Sequence, residues 1–257
     1  VACRWLEKTK SERAATTQEK VKNWLAKDLY PVIGSQPIST IKPRDVLVAV
    51  QRIEARGANE SAHRVKSLCG QVFRFAVATG LAERDVTADL KGALASVQTN
   101  HFAAITDPPQ VANLLIAIHG YSGHPYAAAA LKLAPLVFVR PGELRSAEWC
   151  EIDLDAAEWR IPGRKMKMKN DHVVPLAKQA IDILRGICSM TGHSKYVFPS
   201  IRTPDRCMSE NTINAALRGL GFGKDVMTGH GFRAMARTIL DEVLEERVDY
   251  IEHQLAH

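Results

Sequence analysis

The sequence predicts a mainly α-helical protein in two parts, an N-terminal helical bundle followed by an α+β domain with a small antiparallel sheet. Three observations carry this expectation. Apolar residues recur at i, i+3, i+4 and i+7 in the first part of the chain. Residues 98–107 have no period and end in turn and cap residues. Residues 151–176 switch to short β-like pieces between turn formers.

In chain order, the first helix is expected over about 11–29. The second, over 43–56, carries Val46, Val50 and Ile53 inward and stops at Gly57. The clearest helix is 61–80, where Val65, Leu68, Cys69, Val72, Phe73, Ala76 and Val77 form one apolar face, with Ser61 as cap and Gly80 as stop. Its other face aligns Arg64, Ser67, Gln71 and Arg74, long donors suited to phosphates or base edges and equally suited to a solvated surface. Thr106-Asp107 before Pro108-Pro109 reads as the entry to a new helix. The expected division is therefore a helical domain over 1–98, a linker over 99–106 and a second domain over 107–257. Helices are expected there at 107–119, 125–139, 178–188, 209–219, 231–246 and 248–256. Ile152, Trp159, Ile161, Val173 and Val174 are the strand residues.

The net charge is +6, and it is concentrated. Residues 1–100 hold 16 Lys/Arg against 10 Asp/Glu, whereas residues 101–257 hold 18 of each. An excess of cations favours a polyanionic partner through counterion release, although a solvated basic surface has the same composition. The five cysteines show no CxxC or other ligand spacing, which fits a reduced cytosolic setting and gives no metal site. The most apolar run, Leu133 to Val139, is too short to span a bilayer, so no membrane partner is expected.

Three features in the second part bear on chemistry. Val139-Arg140-Pro141-Gly142-Glu143-Leu144 puts an arginine at a helix junction, where its fork could hold a phosphate or pair with Glu143. Arg160 to Asn170 carries five cations and no acid between two strands, either an exposed loop or a hairpin that delivers a lysine to a phosphate. His230 and Arg233 are three apart and share a helical face, either converging on an anion or with His230 simply a buried, hydrogen-bonded histidine. A metal site built on His230, His253 and His257 would lack acid or cysteine ligands at zinc spacing.

Arg-Pro-Gly-Glu-Leu, a basic hairpin, His-x-x-Arg and Leu255-Ala256-His257, in this order, resemble the signature of tyrosine recombinases of the prophage integrase type. The likeness extends to Ala147-Glu148-Trp149, Val173-Val174-Pro175-Leu176, Val197-Phe198-Pro199-Ser200 and Ile251-Glu252-His253-Gln254-Leu255. It implies a site-specific recombinase that breaks and rejoins duplex DNA at attachment sites through a 3′-phosphotyrosine, without metal or cofactor. By motif, Arg140 and Arg233 would hold the scissile phosphate, and His230 would assist proton transfer or make a phosphate hydrogen bond. Lys167, counted back from Pro175, would protonate the leaving oxygen, with Lys165 and Lys169 as neighbours left open. His257 would complete the pocket, and Arg164, Lys165 and Lys169 would contact DNA alongside the stripe of Arg64, Ser67, Gln71 and Arg74. The resemblance also implies a cytoplasmic, nucleoid-associated bacterial protein, tetrameric on DNA at full length and monomeric as this length of chain. The family's nucleophilic tyrosine lies just beyond the last histidine, and none of Tyr30, Tyr121, Tyr126, Tyr196 and Tyr250 occupies that place. The chain as given is thus expected to bind without cleaving. The alternative is a DNA-binding protein on a recombinase scaffold, naturally inactive.

Overall fold

The apolar stripes bury one face of each helix and sort into two separate cores. The computed structural model describes residues 1–97 and 102–256, and the chain divides into two compact units, Val1–Thr99 and Asn100–His257. The expected linker at 99–106 falls partly outside the described residues, and 102–106 carry no regular element.

The first unit is all helical: α1 (Ala2–Lys8), α2 (Ala15–Trp24), α3 (Tyr30–Ile33), α4 (Pro43–Glu54) and α5 (Asn59–Ala78). The expected helix over 11–29 begins later and continues further, because α2 passes through a widened π turn at Leu25–Leu29 into α3. That turn lies just ahead of Pro31, whose ring and missing N–H a regular helical turn would not accommodate. Ser61 is not the cap of α5. Gly57, at φ 75°, reverses the chain so tightly that the helix starts at Asn59 after Ala58, placing Ser61 inside the first turn. Val46, Val50 and Ile53 of α4 pack with Val65, Leu68 and Phe73 of α5 around Trp5 and Leu25, as the periodicity requires.

The second unit begins with α6 (Pro108–His119), whose N-terminus Asp107 caps by accepting from the Gln110 N–H at 3.3 Å. Then follow α7 (Pro125–Val137), α8 (Pro141–Arg145), and the strands β1 (Ile152–Asp153), β2 (Glu158–Ile161) and β3 (His172–Pro175). The sheet is antiparallel in the order β1-β2-β3, with Trp159 opposite Ile152 on one side and Val174 on the other. Trp159 is fully buried, and its Nε1 donates to Glu151 Oε2 at 3.3 Å. Four helices complete the unit: α9 (Lys178–Thr191), α10 (Thr212–Gly219), α11 (Gly231–Thr238) and α12 (Val248–Gln254). The expected helix over 231–246 is shorter than its pattern. After Thr238 it widens into a π turn at Ile239–Val243, and Glu245 turns left-handed at φ 52°. Asp241, Glu242, Glu245 and Glu246 crowd this C-terminal end, where the helix dipole disfavours negative charge. Among the described residues no helix is long and apolar enough to cross a membrane.

Candidate active site

Two chain reversals in the second unit bring arginines together. Phe138, left-handed at φ 54°, ends α7; Val139 stays in the core, and Arg140 emerges beside it before Pro141 starts α8. Arg140 is the N-cap of α8, and Glu143 in that first turn accepts from both its backbone N–H (2.7 Å) and its Nη1 (2.9 Å). The pairing with Glu143 that the sequence left open is therefore present. It holds the guanidinium at the rim of a pocket rather than withdrawing it.

His230 is the N-cap of α11, and Arg233 lies one turn on. Arg233 is buried, and its fork is fixed by two carbonyls, Phe138 O at 2.7 Å and Leu255 O at 2.6 Å. Arg140 Nη2 donates to the next carbonyl, Ala256 O, at 3.2 Å. The ends of α7 and α12 thus orient both guanidiniums. Gly231, directly after His230, is required there, since a Cβ would lie 2.4 Å from Ala103 O, where the incoming chain crosses the start of α11. That crossing also sets the Phe102 ring 4.4 Å from the His230 ring.

The result is an open pocket of about 440 Å³, whose lining includes Arg140, Lys167, His230 and Arg233. Burial lowers the proton affinity of Arg233, and the charge of Arg140 lowers it further, with Glu143 and Glu252 acting against both. A guanidinium stays charged regardless, so the pocket concentrates positive field on whatever anion enters. Among the described residues no group of three His, Cys, Asp or Glu is placed to hold a metal ion.

The remaining candidates lie elsewhere. Lys165 is turned away from the pocket: its ammonium lies 2.9 Å from Glu148 Oε1, 2.5 Å from Glu151 Oε1 and 2.7 Å from Ser146 O, with 16% of the side chain exposed. Burial would raise the Glu148 carboxyl, but the hydrogen bond and charge of Lys165, with Lys195, hold it below its usual range. As placed, Lys165 is an internal ion-pair residue and not the exposed DNA contact expected of it, because two buried carboxylates outcompete solvent for its charge. Arg164 lies beside Asp153, Asp155 and Arg160 in a different cleft. Lys169 is exposed and left-handed at φ 60°. On α5, Arg64 pairs with Glu60 and Arg74 with Asp85, Gln71 accepts from Arg13 at 2.9 Å, and Ser67 is exposed. His257 lies outside the described residues.

Two residues near the pocket escaped the sequence reading. Arg237, four positions after Arg233, also lines it. His172 opens β3 and is buried, with no hydrogen-bond partner at Nε2 among the described residues. The alternation His172-Val173-Val174 already places it on the buried face with Val174. Burial pushes its imidazole below the ordinary 6.5; a backbone hydrogen bond with Gln254 and the charge of Glu143 oppose this, and His253 and Arg140 reinforce it. The unfolded chain therefore takes up this proton first as pH falls. Stability is unaffected above about 6.5 and is lost progressively below it, until the folded value is reached. His172→Gln should flatten this part of the acid limb in thermal melts between about pH 7.5 and pH 5. Equal slopes for the two proteins would show that His172 does not contribute.

Comparison with known proteins finds matches over both units of the chain. The Phage integrase central domain profile matches residues 1–93, and the Phage integrase family profile matches residues 105–257. The integrase of Enterobacteria phage P4 is 34% identical over 253 residues, a match covering 93% of this chain and 57% of that protein. Prophage integrase IntA of Escherichia coli (strain K12) is 34% identical over 257 residues, covering 100% of this chain and 62% of its own length. The chain thus spans about three-fifths of the length of these curated relatives. Among solved structures, a lambda integrase(75-356) dimer bound to a COC′ core site matches with a TM-score of 0.78 at 18% identity, covering 100% of this chain and 93% of that one. A lambda integrase tetramer bound to a Holliday junction matches with a TM-score of 0.75 at 16% identity, covering 100% and 76%. At these identities the structural likeness concerns the fold alone.

Proposed function

Because the chain belongs to the phage integrase family of tyrosine recombinases, we propose that it is the DNA-binding and catalytic part of a site-specific recombinase that integrates or excises a mobile element. The observation that carries this reading is the meeting of Arg140, Lys167, His230 and Arg233 around one pocket from positions up to 93 residues apart in sequence. On this reading residues 1–98 form the core DNA-binding domain, 99–106 the linker and 107–257 the catalytic domain. The polar stripe of α5 and the exposed hairpin cations Arg164 and Lys169 face the duplex. The working protein is a bacterial cytoplasmic, nucleoid-associated one, assembled as a tetramer on its attachment sites.

The chemistry assigned to the pocket is metal-free phosphoryl transfer. A tyrosine hydroxyl attacks the scissile phosphorus, forming the 3′-phosphotyrosine bond as the bond to the 5′-oxygen breaks. Arg140 and Arg233 hold the non-bridging oxygens and stabilise the charge of the pentacoordinate transition state. His230, fixed at the start of α11, assists proton transfer, with His257 completing the site. Lys167 protonates the departing 5′-oxygen, which leaves as a hydroxyl.

The reading is tested by binding and by trapping. Affinity of this chain for duplex DNA should fall about three to five orders of magnitude between roughly 50 and 200 mM salt if six to ten phosphates are neutralised. A flat salt dependence would count against DNA binding through phosphate contacts. A form of the protein continuing past His257 through the family's tyrosine should leave a covalent adduct on a suicide substrate. Tight binding without an adduct would favour the inactive DNA-binding alternative.

A further inference from the structure

We infer that Arg237 is a second phosphate-binding residue, holding a DNA phosphate adjacent to the one gripped by Arg140 and Arg233. This rests on the recombinase reading and extends it to a residue outside the five-residue signature.

Arg237 follows Arg233 by four positions and His230 by seven, so all three share one face of the segment that begins at His230. It lines the same pocket, whose lining, among the described residues, includes three arginines, a lysine and a histidine and no carboxylate. The two α11 arginines are held in opposite ways. Arg233 is only 5% exposed and locked by two carbonyls, whereas the Arg237 side chain is 51% exposed. Glu252 of α12 engages its Nε edge at 3.0 Å. The Asp241 oxygen near Nη1 is 3.9 Å away, beyond hydrogen-bond range. Glu252 therefore aims the side chain without closing both edges of its fork.

Charge then decides what the residue is for. A single phosphodiester carries one negative charge, and Arg140, Arg233 and Lys167 already exceed it. A fourth cation on the rim adds nothing needed at that phosphate. One helical turn moves a side chain about 5.4 Å along the axis. That step is of the same order as the one between neighbouring phosphates on a strand, which advance about 3.4 Å each along the duplex axis. The next phosphate of the same strand is the anion that this spacing fits.

The test is equilibrium binding of duplex DNA by this chain across about 50 to 200 mM salt, comparing wild type with Arg237→Gln, Arg237→Lys and Glu252→Gln. Gln at 237 can still donate to Glu252, which keeps the α11–α12 contact and guards against misfolding; Arg237→Ala serves as a second neutral variant. Losing one phosphate contact should reduce the slope of log affinity against log salt by about 0.9. Arg237→Lys should keep the wild-type slope, and Glu252→Gln should bind at least as well as wild type because the fork is released. A steep wild-type slope that Arg237→Gln and Arg237→Ala leave unchanged would overturn this inference alone. Equal weakening by Glu252→Gln and Arg237→Ala at unchanged slope would likewise overturn it, showing only a contact that orders α12. Salt-independent binding by the wild-type chain would overturn the recombinase reading, and this inference with it.

Discussion

Arg233→Ala should slow DNA cleavage by about three to five orders of magnitude, the range found when an arginine that stabilises a phosphoryl-transfer transition state is removed. The measurement is single-turnover cleavage of a suicide substrate by a form of the protein that continues through the tyrosine. Duplex affinity should fall much less, because one contact is lost among roughly six or more phosphates. The variant also leaves the carbonyls of Phe138 and Leu255 without their donor, at about 1–3 kcal/mol for each buried unpaired group. A urea melt must therefore accompany the kinetics. Arg233→Lys separates the two effects: it keeps the charge but loses the planar fork that reaches both carbonyls. It should recover much of the stability and little of the rate. Cleavage by a folded Arg233→Ala protein within about tenfold of wild type would mean that the pocket does not hold the reacting phosphate, given what such an arginine contributes.

The sequence exposed what depends on short-range pattern and concealed what depends on distant partners. The spacing of His230 and Arg233 fixes a common helical face whatever surrounds it. Arg140 was visible because Pro141-Gly142 marks the junction from which it emerges. The sheet was legible because Trp159 lies between polar Glu158 and Arg160, and because Val173 and Val174 are adjacent β-branched residues. Lys165 was misread because a run of cations looks uniform in sequence. Its partners, Glu148 and Glu151, are contributed by the turn before β1, and nothing in the run itself distinguishes a lysine facing them from one facing solvent. The end of α11 was misplaced for a related reason. Apolar spacing continues through Leu240 and Val243, but it does not register the acidic cluster that opposes the dipole there. Arg237 could have been found by extending the His230 and Arg233 face one more turn.

The fate of Lys165 sharpens the expectation for Lys167. Lys165 anchors one arm of the hairpin to the body of the unit, and Lys167, two residues further on, is exposed on the pocket wall beside Met168. The two lysines should therefore fail in different ways. Lys165→Ala leaves buried Glu151 without its cation and Glu148 with only the exposed Lys195 at 3.6 Å, and breaking such a buried pair costs about 3–5 kcal/mol, so its defect should appear in stability. Lys167→Ala should be stable and should still bind DNA, since other cations remain on the hairpin. Its cleavage rate on an ordinary substrate should fall by about two to four orders of magnitude, because a 5′-alkoxide is a poor leaving group without a proton donor. With a 5′-phosphorothiolate at the scissile position the leaving group departs as a thiolate, which needs no proton, and most of the lost rate should return. Slow cleavage of both substrates would make Lys167 a residue that orients the phosphate. Normal cleavage of both, with thiolate rescue appearing instead in Lys169→Ala, would move the general acid two residues along the hairpin.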